Sequence, residues 1–547
     1  MRVVATTPRP RLTVIGLDAA TLDVVEPLVA GGHLPNLGRL LEEGSGGVLR
    51  STTHPLTPQA WATLVTGVNA GRHGIWDFTE RDESGYGLRF VNGSFRRAPA
   101  VWDRLAAKHR RSGLVGIPFT WPAPRIEGFS VAGFDAAARE EGMTYPPELV
   151  SEIAGRYGSI ELDNRFPLGK DGRVDLEIVR RAADQKVDVT LWLAERFEPA
   201  LLFVVFMAAD HIQHLCWTDW ERDGAESPLA EVYRILDERL GRLLEWLGPG
   251  NDVVVVSDHG AGPLHGVVNL NAWLASQGYL TFLPGSARLG RRAVDRLFEL
   301  RRHVPQGLRS AVKKRLPALR ERAYEREEYS AIDWENTRAF AYGTFGNVVV
   351  NVRGREASGV VAPGEEYDRV RDGIAAKLLD LRGPEGEQIV AAVHRREDLF
   401  EGAELDKVPD LLVEFDEYAW LGKGNLKSRS DSIWDRIEIE PGSEHSYVGS
   451  HRHEGLVVLA GPSARSGVKL SAAIQDVAPT LLYLLEEPVP TELEGRILLE
   501  AIDPDLLERR PPEYEEAADI RPGETEEYAE GETAVVEERL RGLGYIE

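Results

Sequence analysis

Cysteine is almost absent from this chain, which carries a single one, Cys216, among 547 residues. One thiol cannot form an intramolecular disulfide, and a chain without disulfides suits a reducing compartment. The same scarcity argues against a metal site built from thiolates, because such sites need several cysteines. Cys216 stands between Leu215 and Trp217, which favours a plain core position.

Long hydrophobic runs and an excess of positive charge are also missing. No window reaches the ~18 consecutive apolar residues that a membrane-spanning helix needs, and the N-terminus lacks the apolar stretch of a signal peptide. We therefore expect a cytoplasmic protein. The 64 Lys and Arg residues stand against 88 Asp and Glu, which gives a formal net charge of −24. This charge would repel a nucleic-acid polymer, but not a small anionic substrate held by bound metal cations.

Val-rich apolar runs alternate along the chain with segments of helical periodicity. The runs are LTVIGLD at 12–18, ALLFVVFMAAD at 200–210, DVVVVSDHG at 252–260 and EGLVVLAG at 454–461. Apolar runs without polar alternation are typical of parallel strands that are covered on both faces. The pattern predicts an α/β fold with a doubly wound, mostly parallel sheet, because strands alternating with helices imply βαβ crossovers.

This alternation is interrupted after residue 285. We predict that residues 1–285 and 441–510 form one α/β core and that residues 286–440 are an inserted cap. The cap would begin with a strongly basic helical segment and continue as a small α/β unit. The basic segment is either a solvated helical face or a surface that contacts anionic substrates or lipid headgroups. Residues 511–547 are rich in Glu, Pro and Gly and are predicted to form an acidic, solvated tail, whose last residues regain helical character and can dock back onto the protein.

Acids and histidines recur at the ends of the predicted strands, with one hydroxyl residue among them. In chain order the set is Asp18, Thr57, Asp210, His214, Asp258, His259 and His451. Ligands of open α/β sheets bind at the carboxyl ends of the strands, so these side chains can converge at one edge. A single strand-end Asp is more often a helix cap or a turn residue, but three of them near histidines indicate a metal site. Carboxylates and imidazoles suit zinc, manganese or another divalent ion.

The spacing of the acid–histidine pairs supports this interpretation. Asp210 and His214 are four residues apart, which places both on one face if a helix begins at the strand end. His211 competes with His214 for this role. Asp258 and His259 are adjacent, and the glycines of SDHGAG permit the bend that would turn both towards one site.

Thr57 is the hydroxyl residue of the set. Pro58 follows it, and proline at the first helical position makes Thr57 a candidate helix N-cap. A hydroxyl beside a metal and a helix N-terminus is also well placed as a nucleophile, and the two roles are compatible. Three carboxylates, three imidazoles and one hydroxyl are what a two-metal phosphoryl-transfer site needs.

Six segments together resemble the alkaline phosphatase superfamily. They are VIGLDAAT, TPQAWATLVTGVNAGRHGIWDF, DHIQHLCW, SDHGAG, GSHRHEG and QDVAPTLLYLLEEPVPTELEGRIL. The chain looks most similar to the type I phosphodiesterase/nucleotide pyrophosphatase family, in its predicted phosphohydrolase or phosphomutase branch. The similarity covers roughly residues 11–285 and 440–505, with a family-like cap between them.

The resemblance implies a centre of two metal ions, usually zinc, and a threonine nucleophile that forms a covalent phospho-enzyme. Transferred by motif, one metal would be held by Asp18, Thr57, Asp258 and His259, and the other by Asp210, His214 and His451. His451 is preferred because the family histidine follows a Gly-small pair, here Gly449-Ser450. His453 remains an alternative.

One position departs from the family pattern. Characterised nucleotide pyrophosphatases place an Asn, which binds a phosphate oxygen, just after the Asp that follows His-Gly-Ile, whereas this chain has Phe78. The resemblance implies a metal-dependent phosphohydrolase that acts on a small phosphate ester, most simply a phosphodiester or a pyrophosphate. A phosphomonoesterase or phosphomutase and a non-catalytic binding protein are the alternatives. Thr57-Pro58-Gln59 cannot supply the modified Cys or Ser motif of a sulfatase.

Overall fold

The computed structural model of the chain describes residues 9–82, 86–136, 141–158, 174–283, 332–424, 432–435, 447–518 and 523–542, with the single residues 160 and 520. The basic segment of the predicted cap lies outside these residues. Every helix within the described ranges is too short or too polar to cross a lipid bilayer.

A nine-stranded sheet forms the centre of the molecule. From one edge to the other its strands are Lys469–Ala473, Ser45–Arg50, Glu454–Ala460, Asp252–Val256, Leu12–Leu17, Leu201–Phe206, Ser112–Val115, Gly128–Val131 and Thr144–Tyr145. All of them run parallel except Glu454–Ala460 and Thr144–Tyr145. This sheet confirms the α/β fold that the alternation of strands and helices predicts.

Helices cover both faces of the sheet. Successive residues of a strand point to opposite faces, so Leu202 and Val204 join one buried cluster while Phe203 and Val205 join the other. Both faces are apolar, which explains why the strand sequences show no polar alternation. The α-helices of the described residues are Leu22–Ala30, Pro35–Glu43, Thr57–Thr66, Ala70–His73, Val101–Ala107, Leu149–Tyr157, Leu176–Phe197, Ala208–Asp223, Pro228–Leu247, Leu270–Ser276, Glu365–Leu379, Arg396–Leu399, Val477–Leu484, Pro504–Arg509 and Glu530–Gly542.

The strand Glu454–Ala460 differs from its prediction. Its apolar run is typical of a parallel strand, but it lies antiparallel to both Ser45–Arg50 and Asp252–Val256. The cause is that burial on both faces, and not strand direction, sets the apolar pattern.

A second, smaller sheet packs beside the central one, and we call it the cap sheet. Its four antiparallel strands are Ala339–Ala341, Asn347–Val350, Leu411–Phe415 and Val390–Arg395. The helix Glu365–Leu379 shares a buried cluster with these strands through Val370, Ile374 and Leu378. The remaining short strands are Thr79–Arg81 with Leu88–Phe90, Gly260–Pro263 with Gly449–Arg452, Trp420–Lys423 with Gly266–Asn269 and Trp434–Asp435, and Val489–Pro490 with Tyr514–Glu515.

The end of the chain packs against the core instead of extending freely into solvent. The Tyr528 ring stacks on Trp121 with centroids 4.6 Å apart, and its hydroxyl donates to the carbonyl of Asp135 at 2.8 Å. Val536 and Leu540, on the helix Glu530–Gly542, are 2% and 3% exposed. The last helix therefore docks back onto the protein, because its apolar face packs in the main core cluster, while most of the described residues between 511 and 527 are exposed.

Candidate metal centre

The three strand-end acids meet at the carboxyl edge of the central sheet. Asp18 directly follows the strand Leu12–Leu17, whose neighbours are Leu201–Phe206 and Asp252–Val256. Asp258 comes two residues after the latter, and Asp210 lies in the first turn of the helix Ala208–Asp223. All three carboxylates are at most 1% exposed. Their convergence follows from parallel strands ending at one edge.

One cluster of potential ligands surrounds the imidazole of His259. Its Nε2 lies 3.3 Å from Thr57 Oγ1, 3.4 Å from Asp258 Oδ2 and 3.8 Å from Asp18 Oδ1. All four side chains are fully buried. Ligand atoms of Asp18, Asp258 and His259 lie within 4.8 Å of one another, a spacing that one metal ion can bridge.

A second cluster adjoins the first. Asp210 Oδ1 lies 3.4 Å from His214 Nε2 and 3.3 Å from His451 Nε2, and these two nitrogens are 3.1 Å apart. The rings of His451 and His259 stack at 3.8 Å between centroids. Ligand atoms of Asp210, His259 and His451 also lie within 4.8 Å of one another, so the two clusters form one continuous buried centre.

The two histidines that compete in sequence occupy different places. The nitrogen that meets Asp210 and His451 belongs to His214, one helical turn from Asp210, while His211 is the buried neighbour of Asp210 in sequence. His453 faces the cap sheet, where its Nε2 lies 3.3 Å from Glu414 Oε1. The structure thus brings together His214 and His451 and leaves His453 outside the centre.

The three converging imidazoles share one orientation, and this suits metal binding. In each ring Nδ1 lies next to a backbone carbonyl: His214 at 3.0 Å from Gly449, His259 at 3.0 Å from Gly260, and His451 at 2.7 Å from Pro55. A carbonyl oxygen only accepts, so Nδ1 carries the proton and Nε2 presents its lone pair to the centre. Three lone pairs pointing inward beside buried carboxylates are what a cation stabilises.

Burial and mutual charge shape the titration of these groups. Burial raises the pKa of Asp258 well above its ordinary value and lowers the pKa of His259 well below its own. Burial also lowers the pKa of His451. Burial alone would raise the pKa of Asp210, but the neighbouring His214 and His451 hold it well below its usual value. Carboxylates in such a site need positive partners, and a divalent ion would supply them.

The helix that carries Thr57 begins one residue earlier than predicted. Thr57 is its first residue, Leu56 takes the N-cap position, and no side chain caps the helix. The N-cap prediction is therefore wrong by one position. The hydroxyl is left to face His259.

Two contacts that the sequence does not reveal hold the candidate ligands Asp18 and His214 in place. The indole Nε1 of Trp61 donates to Asp18 Oδ2 at 2.6 Å. Gly16 makes this contact possible, because a Cβ there would lie 2.6 Å from the Trp61 ring. Gly449 serves a similar purpose for His214, since a Cβ would lie 2.2 Å from the carbonyl oxygen of Gln213. Trp61 stands four residues after Thr57, and this helical spacing is the signal that could have found it.

Phe78 occupies the position that departs from the family pattern. It is 1% exposed and packs against Phe119 and Phe134, with ring centroids 5.7 Å and 6.4 Å away. Its side chain therefore belongs to the core and supplies no polar group to a phosphate.

Comparison with known proteins agrees with this geometry. The family described as type I phosphodiesterase / nucleotide pyrophosphatase matches residues 12–451, a span that runs from before Asp18 to His451. The chain belongs to this family and is a hydrolase that acts on phosphoric ester bonds. No curated protein matches it in sequence.

Two solved structures are similar to this chain, and the first of them shares its fold. Phosphonoacetate hydrolase from Sinorhizobium meliloti 1021 has a TM-score of 0.53 at 15% identity, over 88% of this chain and 96% of that one. Murine ectonucleotide pyrophosphatase/phosphodiesterase 5 has a TM-score of 0.49 at 15% identity, over 90% of this chain and 100% of that one.

Proposed function

We propose that this protein is a zinc-dependent phosphodiesterase of the nucleotide pyrophosphatase type, which works through a phospho-threonine at a two-metal centre. The observation that carries the proposal is the shared orientation of three converging imidazoles, each with Nδ1 on a carbonyl and Nε2 facing buried carboxylates. The family membership supports a phosphohydrolase, and the donor set of oxygen and imidazole suits zinc, with manganese as the second choice.

The two clusters suggest how the ligands are divided. Asp18, Thr57, Asp258 and His259 would hold one ion, and Asp210, His214 and His451 would hold the other. Two bound ions would lower the pKa of the Thr57 hydroxyl and stabilise the charge on the leaving oxygen.

Thr57 is placed to act as the nucleophile. Its Oγ1 would form a bond to phosphorus while the bond to the ester oxygen breaks, and a water molecule would later cleave the phospho-threonine. The start of a helix at Thr57 supports this role, because the amides and dipole of the first turn attract a phosphoryl group.

The preference for diesters over monoesters is tested by comparing two chromogenic substrates. The zinc-loaded protein should hydrolyse bis(p-nitrophenyl) phosphate faster than p-nitrophenyl phosphate, with Thr57→Ala as the inactive control. A much faster reaction with the monoester would instead favour a phosphomonoesterase or phosphomutase. The observation that favours this second candidate is the buried Phe78, which stands in place of the phosphate-binding Asn of characterised nucleotide pyrophosphatases.

Metal content separates the enzyme from a binding protein on the same fold. Mass spectrometry of the zinc-loaded chain should find two zinc ions per chain, falling towards one in Asp210→Asn. Fewer than one ion per chain would favour the non-catalytic alternative. Contact of the basic segment with anionic surfaces stays a further proposal, supported by its sequence alone.

A further inference from the structure

The loop between the strand Ser45–Arg50 and the helix Thr57–Thr66 touches both halves of the candidate centre. The carbonyl of Pro55 accepts from Nδ1 of His451 at 2.7 Å, and Thr57 faces His259 at the end of the loop. Inside the loop the carbonyl of His54 accepts from Thr52 Oγ1 at 2.7 Å and from the amide of Leu56 at 2.9 Å. A shift of this loop would therefore move the nucleophile and reorient one imidazole together.

The side chain of His54 connects this loop to the cap sheet. It is fully buried, and its Nδ1 lies 3.0 Å from the hydroxyl of Tyr418, which follows the cap strand Leu411–Phe415. The two rings meet edge to face, with centroids 5.6 Å apart at 90°. Tyr418 is fully buried as well, so water cannot replace this hydrogen bond.

Phe345 adds a second contact from the cap sheet. It lies in the connection between Ala339–Ala341 and Asn347–Val350, and its ring is 5.4 Å from His451 and 5.7 Å from Tyr418. Its φ of 67° is uncommon for a bulky residue, and such backbone persists only when the surrounding contacts hold it. Residues that adjoin the cap sheet thus make two contacts with the centre. Phe345 contacts the ring of His451, a potential ligand, and Tyr418 contacts the loop before Thr57 through His54.

We propose that Tyr418 is a positioning residue for the metal centre: its hydroxyl, through the imidazole of His54, fixes the loop that orients His451 and presents Thr57. The inference rests on the proposed function for the two metal ions. It assigns a residue that adjoins the cap sheet a role in orienting the side chains that would bind them. Groups that orient a metal-ligating histidine typically change metal affinity 10–100-fold when they are removed.

The test measures zinc affinity by competition with a chromogenic chelator and the visible spectrum of the cobalt-loaded protein. Tyr418→Phe should bind the more weakly held zinc about tenfold less tightly and change the cobalt spectrum, because His451 loses its fixed orientation. Tyr367→Phe is the matched control: it removes a tyrosine hydroxyl that donates to Asp410 at 2.6 Å within the cap. The control should leave both readouts as in the wild type.

A second pair of variants keeps the test decisive if Tyr418→Phe does not fold. His54→Asn retains a polar atom near the place of Nδ1 and should keep most of the affinity, whereas His54→Leu should lose it. Wild-type zinc affinity and cobalt spectra in both Tyr418→Phe and His54→Leu would overturn this inference while leaving the proposed function intact. A wild-type chain that binds no zinc would contradict both.

Discussion

At the scale of single residues, the indole of Trp61 is a determinant of the centre that carries no charge. Trp61→Phe keeps a buried ring but removes the donor to Asp18 Oδ2, so Asp18 loses the contact that orients its carboxylate. We expect zinc affinity to fall at least tenfold, as for other partners of metal ligands. Isothermal titration with zinc checks this.

The control for this substitution is a second buried tryptophan. Trp102 is 1% exposed, and its Nε1 has no hydrogen-bond partner within the described residues. Trp102→Phe therefore removes a similar volume without touching a ligand, and zinc affinity should stay unchanged. Equal losses in both variants would show that packing, and not the bond to Asp18, is responsible.

Asp77 gives the fold a pH dependence of its own. Burial raises the pKa of this carboxyl from 3.8 to about 7. Because the folded state holds the proton more tightly than the unfolded chain, Asp77 favours folding below about pH 4, and this contribution is lost as the pH rises through about 7. Relative to the wild type, Asp77→Asn should therefore gain at most roughly 4 kcal/mol in free energy of unfolding between pH 4 and pH 8.

Urea denaturation at a series of pH values, with a chelator present, measures this difference. Asn347 supports the substitution, because its Nδ2 lies 3.4 Å from Asp77 Oδ2 and can also donate to the side-chain oxygen of an introduced Asn. A stability difference that stays constant across the series would refute the assignment of a raised pKa to Asp77.

The residues of the site differ in how far their sequence predicts them. Acids and histidines at strand ends are visible because parallel strands must end at one edge, and their convergence is confirmed. The partners that orient them are backbone carbonyls of Pro55, Gly260 and Gly449, and a backbone carbonyl is a group that every residue carries. Periodicity does not identify such partners, since they are set by how distant segments meet.

At the scale of elements, the helix Ala208–Asp223 is joined to the loop that carries Asp18. Gln213 Nε2 donates to the carbonyl of Ala19 at 2.9 Å, and its Oε1 accepts from the Tyr233 hydroxyl at 3.2 Å. The same hydroxyl accepts from the amide of Thr21 at 3.2 Å. This network links the two halves of the candidate centre.

A double-mutant cycle on Gln213→Leu and Tyr233→Phe measures the network. Each substitution leaves buried polar groups without a partner and should lower the free energy of unfolding by about 2 kcal/mol. The double variant should lose at least about 0.5 kcal/mol less than the sum, because both residues share one hydrogen bond. Strict additivity in urea denaturation would contradict the coupling.

The elements also show what periodicity can and cannot predict. The existence of the main strands follows from their apolar runs, and the helix after Leu201–Phe206 follows from the Asp210–His214 spacing. Periodicity does not predict the antiparallel direction of Glu454–Ala460 or the start of the helix at Thr57. Direction depends on long connections, and a helix start depends on which groups receive its first amides.

At the scale of the whole molecule, the end of the chain contributes to the stability of the core. Tyr528→Ala removes the stacking on Trp121 and the hydrogen bond to Asp135, so we expect a loss of about 2 kcal/mol in the free energy of unfolding. Tyr514→Ala is the control, because that ring is 61% exposed. Thermal and urea denaturation of both variants check the difference. Equally small losses in the free energy of unfolding would mean that the terminal segment docks without stabilising the core.

Composition and strand patterns predict the α/β class, whereas the helical character of the last residues indicates only that this segment can dock. Its Glu, Pro and Gly content is typical of a solvated tail, and the two apolar residues that dock, Val536 and Leu540, are few. The family likewise follows from ordered motifs that span most of the chain. The motifs do not identify the substrate, because Phe78 stands where the family has the Asn that binds a phosphate oxygen.

The central claim is that Thr57 becomes phosphorylated during turnover, and an acid quench during the reaction with bis(p-nitrophenyl) phosphate tests it most directly. Thr57 Oγ1 would displace one p-nitrophenolate, which leaves a p-nitrophenyl phosphoryl group on the residue until water releases it. Peptide mass spectrometry of the quenched zinc-loaded protein should find this group on Thr57, and Thr57→Ala should show neither adduct nor turnover. Full turnover by Thr57→Ala, without an adduct in the wild type, would contradict the account.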